Sequence, residues 1–262
     1  MSDPDAYYLP AGDGEFDATT ATTSPWDDAM QHGGPPAGLL ARAVELTRPD
    51  PEMPIARLTV DMLGPIPRGR VRTEATIVRP GRRVEMVEAR LWAGGRLAVT
   101  ATAWRIRTQK DLTRRYAVPV VPPPLPAAQA AVFFPGVDPA WGYGRSIEWR
   151  FVAGSFAEPG PVELWARVRL PLVAGETPSP VQRLAVLADS ANGISGELPL
   201  TGWLFIPPTM TLTIARVPEG DWVHFAARTT IGPSGTGIAQ GVLSDPDGFV
   251  AQVGQPLLIS PR

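Results

Sequence analysis

Hydrophobic positions change period along this chain, and the changes mark out its elements. From Pro35 and Pro36, the apolar residues Leu39, Leu40, Ala43, Val44 and Leu46 recur at helical spacing, and Thr47 to Pro51 end the run. From Ile55 onward the period becomes two. ARLTVDML reads as a strand stopped by Gly64 to Pro67, and RVRTEATIVR alternates Val71, Thr73, Ala75 and Ile77 with charged residues. VEMVEARLW and RLAVTATAWRIRT are two long strands joined at Gly94 and Gly95, a hairpin signal. A further strand is predicted near Gly14 to Thr22. The first part of the chain is therefore one helix followed by about four antiparallel strands.

Residues 111–140 break this regularity. YAVPVVPPPLP is rich in proline, has no period and is unfit for a central strand, so it reads as an extended linker. The pattern then restarts. SIEWRFVAGSF and VELWARVRLPL are strand-like, and SPVQRLAVLADSANG is a helix from Ser179 to Gly193. Ser179 is its N-cap, Pro180 suits the first helical position, Gln182 completes an S-x-x-Q capping box, and Gly193 is its stop. Leu184 to Ala188 are apolar almost all round, which predicts a buried helix. Asp189 lies in its last turns, and a buried carboxylate needs partners or a cavity. TMTLTIARVPEGDWVHFAARTTI, GTGIAQGVLS and GFVAQVGQPLLI complete the strands, the last two joined at DPDG.

The two halves match. Leu58, Thr59 and Val60 align with Leu212, Thr213 and Ile214, and Thr76 and Gly81 align with Thr230 and Gly235. The Gly94–Gly95 turn falls where DPDG falls. A repeated helix-and-sheet unit predicts an α+β fold of two tandem units, each an antiparallel curved sheet wrapped around a central helix. The expected boundaries are an N-terminal unit over 1–110, a linker over 111–140 and a C-terminal unit over 141–262.

Composition narrows the chemistry. The 262 residues carry a net charge of −2 with acids and bases dispersed, so no basic stripe predicts nucleic acid or membrane as a partner. With no cysteine, disulfides, thiolate metal sites and a cysteine nucleophile are excluded. His32 and His224 are the only histidines, which argues against a multi-histidine metal centre. The start MSDPDAYYLPAGDGEFD lacks the features of a signal peptide, no run of about 18 apolar residues exists, and a cytoplasmic location is the expectation. GTGIAQG lacks dinucleotide-loop spacing, and no G-x-S-x-G elbow is present.

On the repeat and on LADSANG, ARTTIG and AQVGQPLL, the chain resembles the acyl-CoA thioesterase II-type family, the double-hotdog thioesterases. The likeness spans roughly residues 12–262, and HGGPPAGLL resembles the glycine-containing start of the family's first helix. The resemblance implies a tandem double hotdog that hydrolyses acyl-CoA to free acid and coenzyme A. It implies a water held by Asp189, by Thr229 or Thr230, and by Gln255, without covalent intermediate or cofactor. Alignment from GTGIAQG favours Thr230 and spacing favours Thr229; adjacent strand residues face opposite ways, so one of them serves. Gly33, Gly34 and His32, at the start of the first helix, are candidates for substrate and oxyanion contacts. Related hotdog hydratases use an Asp–His pair on the helix segment; no histidine follows Asp189 there, which argues against dehydration chemistry, and His224 reads as structural. A homodimer is compatible with the family. The alternative is a non-catalytic acyl or acyl-CoA binding protein on the same fold.

Overall fold

The computed structural model describes residues 4–109 and 121–262. Its strands in chain order are β1 (Tyr8–Gly12), β2 (Glu15–Ala18), β3 (Ile55–Met62), β4 (Arg70–Arg79), β5 (Val84–Ala93), β6 (Arg96–Ile106), β7 (Ile147–Ala153), β8 (Val162–Val168), β9 (Trp203–Ile206), β10 (Thr209–Ile214), β11 (Val223–Ile231), β12 (Thr236–Asp245) and β13 (Gly248–Pro261). The helices are α1 (Gly34–Thr47), α2 (Gly142–Arg145), α3 (Pro180–Ala188) and α4 (Ala191–Ile194).

The strands form one antiparallel sheet in the order β1-β2-β4-β5-β6-β3-β10-β13-β12-β11-β8-β7, with β9 added to β13. Read outward from the β3–β10 seam, the two sides repeat each other: β6 answers β13, β5 answers β12, β4 answers β11. This is the double hotdog. At the seam Leu58 pairs with Leu212, the residues that the sequence repeat equates. The pseudo-twofold therefore passes through this pair, and each repeat lends the other an inner strand instead of leaving an open edge.

Turn chemistry sets the register. Gly94 and Gly95 have φ of +58° and +76°, the left-handed pair that a two-residue hairpin requires. Across the sheet, inward residues alternate with outward ones, and α1 and α3 lie against each other over the inner face. Gly38 makes the contact close: a Cβ there would sit 2.7 Å from Val186 Cγ2. Leu39, Leu40 and Leu184 are fully buried in this layer. Each such side chain contributes on the order of 1.5–3 kcal/mol by leaving water.

Three local readings change. The predicted strand at 14–22 is the four-residue β2 followed by a 3₁₀ turn at Thr20–Thr22, and β2 pairs with β1 just ahead of it. The helix expected to run to Gly193 stops at Ala188, with Asp189 as its C-cap, and α4 follows as a separate turn. Half of the capping box forms: the Gln182 N–H donates to Ser179 Oγ, but the Gln182 side chain donates instead to Glu45 on α1. Of the expected linker, 111–120 lie outside the described residues. The rest, 121–140, carries no helix or strand and runs beside β7 and β8, where Trp165 donates to the Pro123 carbonyl and Arg150 to that of Pro126. Among the described residues no helix is long and apolar enough to cross a membrane.

Candidate active site at the helix ends

The site lies where the start of α1 meets the end of α3. Because α3 stops at Asp189, the carboxylate projects from the helix end and not from its apolar flank. Asp189 is 4% exposed and makes side-chain contacts on both oxygens. His32 Nδ1 lies 3.0 Å from Oδ2, and Gln255 Nε2 donates to Oδ1 at 3.2 Å. An Asp–His contact therefore exists, though not within one helix segment. Its histidine comes from the other repeat.

Glycine makes the approach feasible. A Cβ on Gly33 would lie 2.8 Å from Asp189 Oδ2 and 2.8 Å from Met62 Cε, so any other residue there would push the carboxylate or Met62 aside. Gly34 is pressed against the Val186 carbonyl. Its N–H, at the start of α1, points at His32 Nδ1 over 3.1 Å. One ring nitrogen thus faces both a backbone donor and a carboxylate. When Nδ1 carries its proton it donates to Asp189 and cannot accept from Gly34.

Two further groups hold the pair. The Tyr143 ring stacks on His32 with centroids 3.7 Å apart and planes 7° from parallel. The Tyr143 hydroxyl is 2.7 Å from the Val186 carbonyl and from Ser190 Oγ. Burial, and secondarily the neighbouring Tyr7, hold its phenol well above the usual tyrosine range, so it remains a proton donor. The Gln255 amide is fixed at both ends, because Oε1 accepts from the Asn192 N–H of α4 at 3.0 Å.

The two threonines separate. Thr229, Ala239 and Gln255 lie in line across β11, β12 and β13, with all three side chains buried. Thr229 meets Ser195 Oγ at 2.9 Å, and Ser195 in turn donates to the Ala191 carbonyl. The Thr229 hydroxyl supports α4 and makes no hydrogen bond to the carboxylate. Thr230 is exposed on the outer face. His224 pairs with Glu163 at 3.0 Å against Trp165, away from this site; burial lowers its proton affinity, and Glu163 opposes the shift.

His32, Ser190 and Asn192 open onto a cavity of about 40 Å³, walled by aromatic rings that include Trp26, Trp141 and Phe156. Beyond it lies a second space of about 230 Å³ that shares Phe134, Phe156, Ile194, Leu200 and Phe205. His32 Nε2 has no hydrogen-bond partner among the described residues. No group of three or more His, Asp or Glu suited to a metal ion occurs among them either.

Of the sequence candidates, the structure brings together Asp189, Gln255 and the HGG stretch. Sequence reasoning missed Tyr143, Asn192 and Ser190. The WGYG run, Trp141 to Gly144, carries a local signal in its two glycines. Side chains at Gly142 and Gly144 would strike the Thr20 carbonyl and the Trp141 ring, so this backbone seats Tyr143 on His32.

The family profile for the acyl-CoA thioesterase N-terminal domain matches residues 22–106, and that for the C-terminal domain matches residues 120–259. No curated protein matches the sequence. Among solved structures, a candidate thioesterase II from Thermobifida fusca is 18% identical, with 98% of this chain and 96% of that one covered at a TM-score of 0.76. A hotdog-fold protein of unknown function from Alicyclobacillus acidocaldarius is 20% identical over 98% and 97%, at 0.73. An acyl-CoA thioesterase II from Mycobacterium marinum is 18% identical over 95% and 92%, at 0.66. At these identities the structural likeness speaks to the fold.

Proposed function

The chain belongs to the acyl-CoA thioesterase family, and we propose that it hydrolyses acyl-CoA at the His32–Asp189 pair. The observation that carries this reading is the 3.0 Å contact between Nδ1 and Oδ2 at the polar end of an apolar cavity.

In this reading Asp189 orients His32 by accepting the Nδ1 proton, and Gln255 holds the carboxylate in place. His32 Nε2 takes a proton from water as the water oxygen adds to the thioester carbonyl carbon. The developing oxyanion is stabilised at the N-terminal, positive end of α1. The C–S bond then breaks. The coenzyme A thiolate leaves and is protonated by the imidazolium, giving free acid and coenzyme A. Thr229 acts from behind, through Ser195 and α4.

The test is release of free thiol from a series of acyl-CoA thioesters by wild type and Asp189→Ala. Turnover that collapses in a folded variant supports the reading. Equal turnover in both would mean that Asp189 is an ordinary helix cap.

A further inference from the structure

We propose that the acyl group this enzyme accepts is a compact aromatic one, an aryl or arylalkanoyl thioester, and not a long aliphatic chain. The proposal rests on the hydrolase reading of the His32–Asp189 site.

The walls carry the argument. Half of the fourteen residues lining the cavity beside His32 are aromatic, in a chain that is 8% aromatic. Five of the seven, Phe134, Trp141, Tyr143, Trp149 and Phe156, form a connected set. Phe156 stands at its centre, 4.4 Å from Phe134 and edge-on to Trp149 and Phe151 at 5.4 and 4.8 Å. Trp26 meets Phe205 edge-on at 5.2 Å on another wall. Rings present stiff faces and edges with opposite partial charge, and a flat guest ring can complete such a set in offset or edge-on contact. A flexible alkyl chain gains no such contacts and loses rotamer freedom on entering.

Size points the same way. The larger space holds about 230 Å³, below the roughly 300–1,000 Å³ typical of sites for drug-sized ligands. It is lined by Phe134 from the segment preceding α2, by the turn at Ser155–Glu158 and by the loop after α4. His32, Ser190 and Asn192 sit at the opposite end and face the first cavity, while Ser155, Glu158 and Thr201 are among the residues lining the larger space. A carbonyl at His32 thus places its substituent among the rings.

The experiment measures free-thiol release from benzoyl-, phenylacetyl-, octanoyl- and lauroyl-CoA by the full chain, by Phe156→Leu and by Phe134→Leu. Calorimetric binding of the same thioesters to Asp189→Asn is read alongside. We expect kcat/KM for an aryl substrate to exceed that for lauroyl-CoA by about tenfold or more. We expect either Leu variant to erase most of that preference. Phe134 is only half-buried, so its variant reports even where Phe156→Leu unfolds. A best rate with octanoyl- or lauroyl-CoA, or equal loss on all substrates in the Phe134 variant, overturns the proposal. Were no thioester hydrolysed, the hydrolase reading would fall. The ring preference would then stand on tighter binding of aryl thioesters, or fall with their equal or weaker binding.

Discussion

The ring of Tyr143 lies flat on that of His32, 3.7 Å away and within 7° of parallel, and its hydroxyl ties that stack to the end of α3 through Val186 and Ser190. The stack fixes the imidazole plane; the hydroxyl fixes the stack. Tyr143→Phe should keep most activity, because the ring face remains. Tyr143→Leu should lower kcat by about ten- to a hundredfold with a smaller change in KM, as expected when a reacting group is held about 1 Å out of place. Steady-state kinetics on the two variants decides this. Equal loss in both would place the effect in the hydroxyl and not in the stack.

Gln255 spans Asn192 N–H and the Asp189 carboxylate while only 1% exposed. Gln255→Ala leaves a buried N–H and a carboxylate oxygen without that partner. We predict a loss of about 1–3 kcal/mol in unfolding free energy, together with reduced turnover. Urea unfolding followed by thiol release checks both. A variant as stable and active as wild type would remove Gln255 from the site.

The two adjacent threonines should behave differently. Thr229→Val removes one buried hydrogen bond, but Ser195 keeps its acceptor at Ala191, so the expected cost is about 0.5–1.5 kcal/mol. Thr230→Val, on the exposed face, should change stability by less than about 0.5 kcal/mol and leave kcat and KM alone. Activity lost only in the Thr230 variant would reverse the assignment.

Glu45 on α1 accepts hydrogen bonds from Ser179 and Gln182 at the start of α3. Burial raises its pKa above 4.5, and those hydrogen bonds and Arg105 only partly offset the rise. A raised carboxyl group favours the fold when protonated. Its contribution is full below the unfolded value and is lost as pH rises through the folded one. Thermal unfolding of wild type minus Glu45→Gln should therefore grow less favourable to wild type as pH rises from about 4.5 towards neutrality. A difference independent of pH, or of opposite slope, contradicts this account.

Much of the fold is legible in the sequence because strand period, turn glycines and the repeat all point the same way. The equated residues Leu58 and Leu212 prove to be direct partners, and Gly94 and Gly95 adopt the dihedrals that their hairpin needs. What escaped was short or distant. Strand β9 is four residues between prolines at 199 and 207, too brief for a period to show. The helix end at Ala188 was hidden because apolar residues continue through Ala191 and Ile194 on a new turn. The His32–Asp189 contact joins a loop of one repeat to a helix end of the other, and no local pattern encodes such a meeting. Asp189 and Gln255 were found through resemblance, and the orientation of Thr229 and Thr230 needed the register of β11.

The most direct test of the central claim is a double-mutant cycle. Thiol release from a good acyl-CoA substrate would be measured for wild type, His32→Ala, Asp189→Asn and the double variant, each checked for folding. If the pair works as one unit, each single change lowers kcat by about a hundred- to ten-thousandfold and the double variant is little worse than either. A His32→Ala enzyme with wild-type turnover, or losses that multiply, would contradict it.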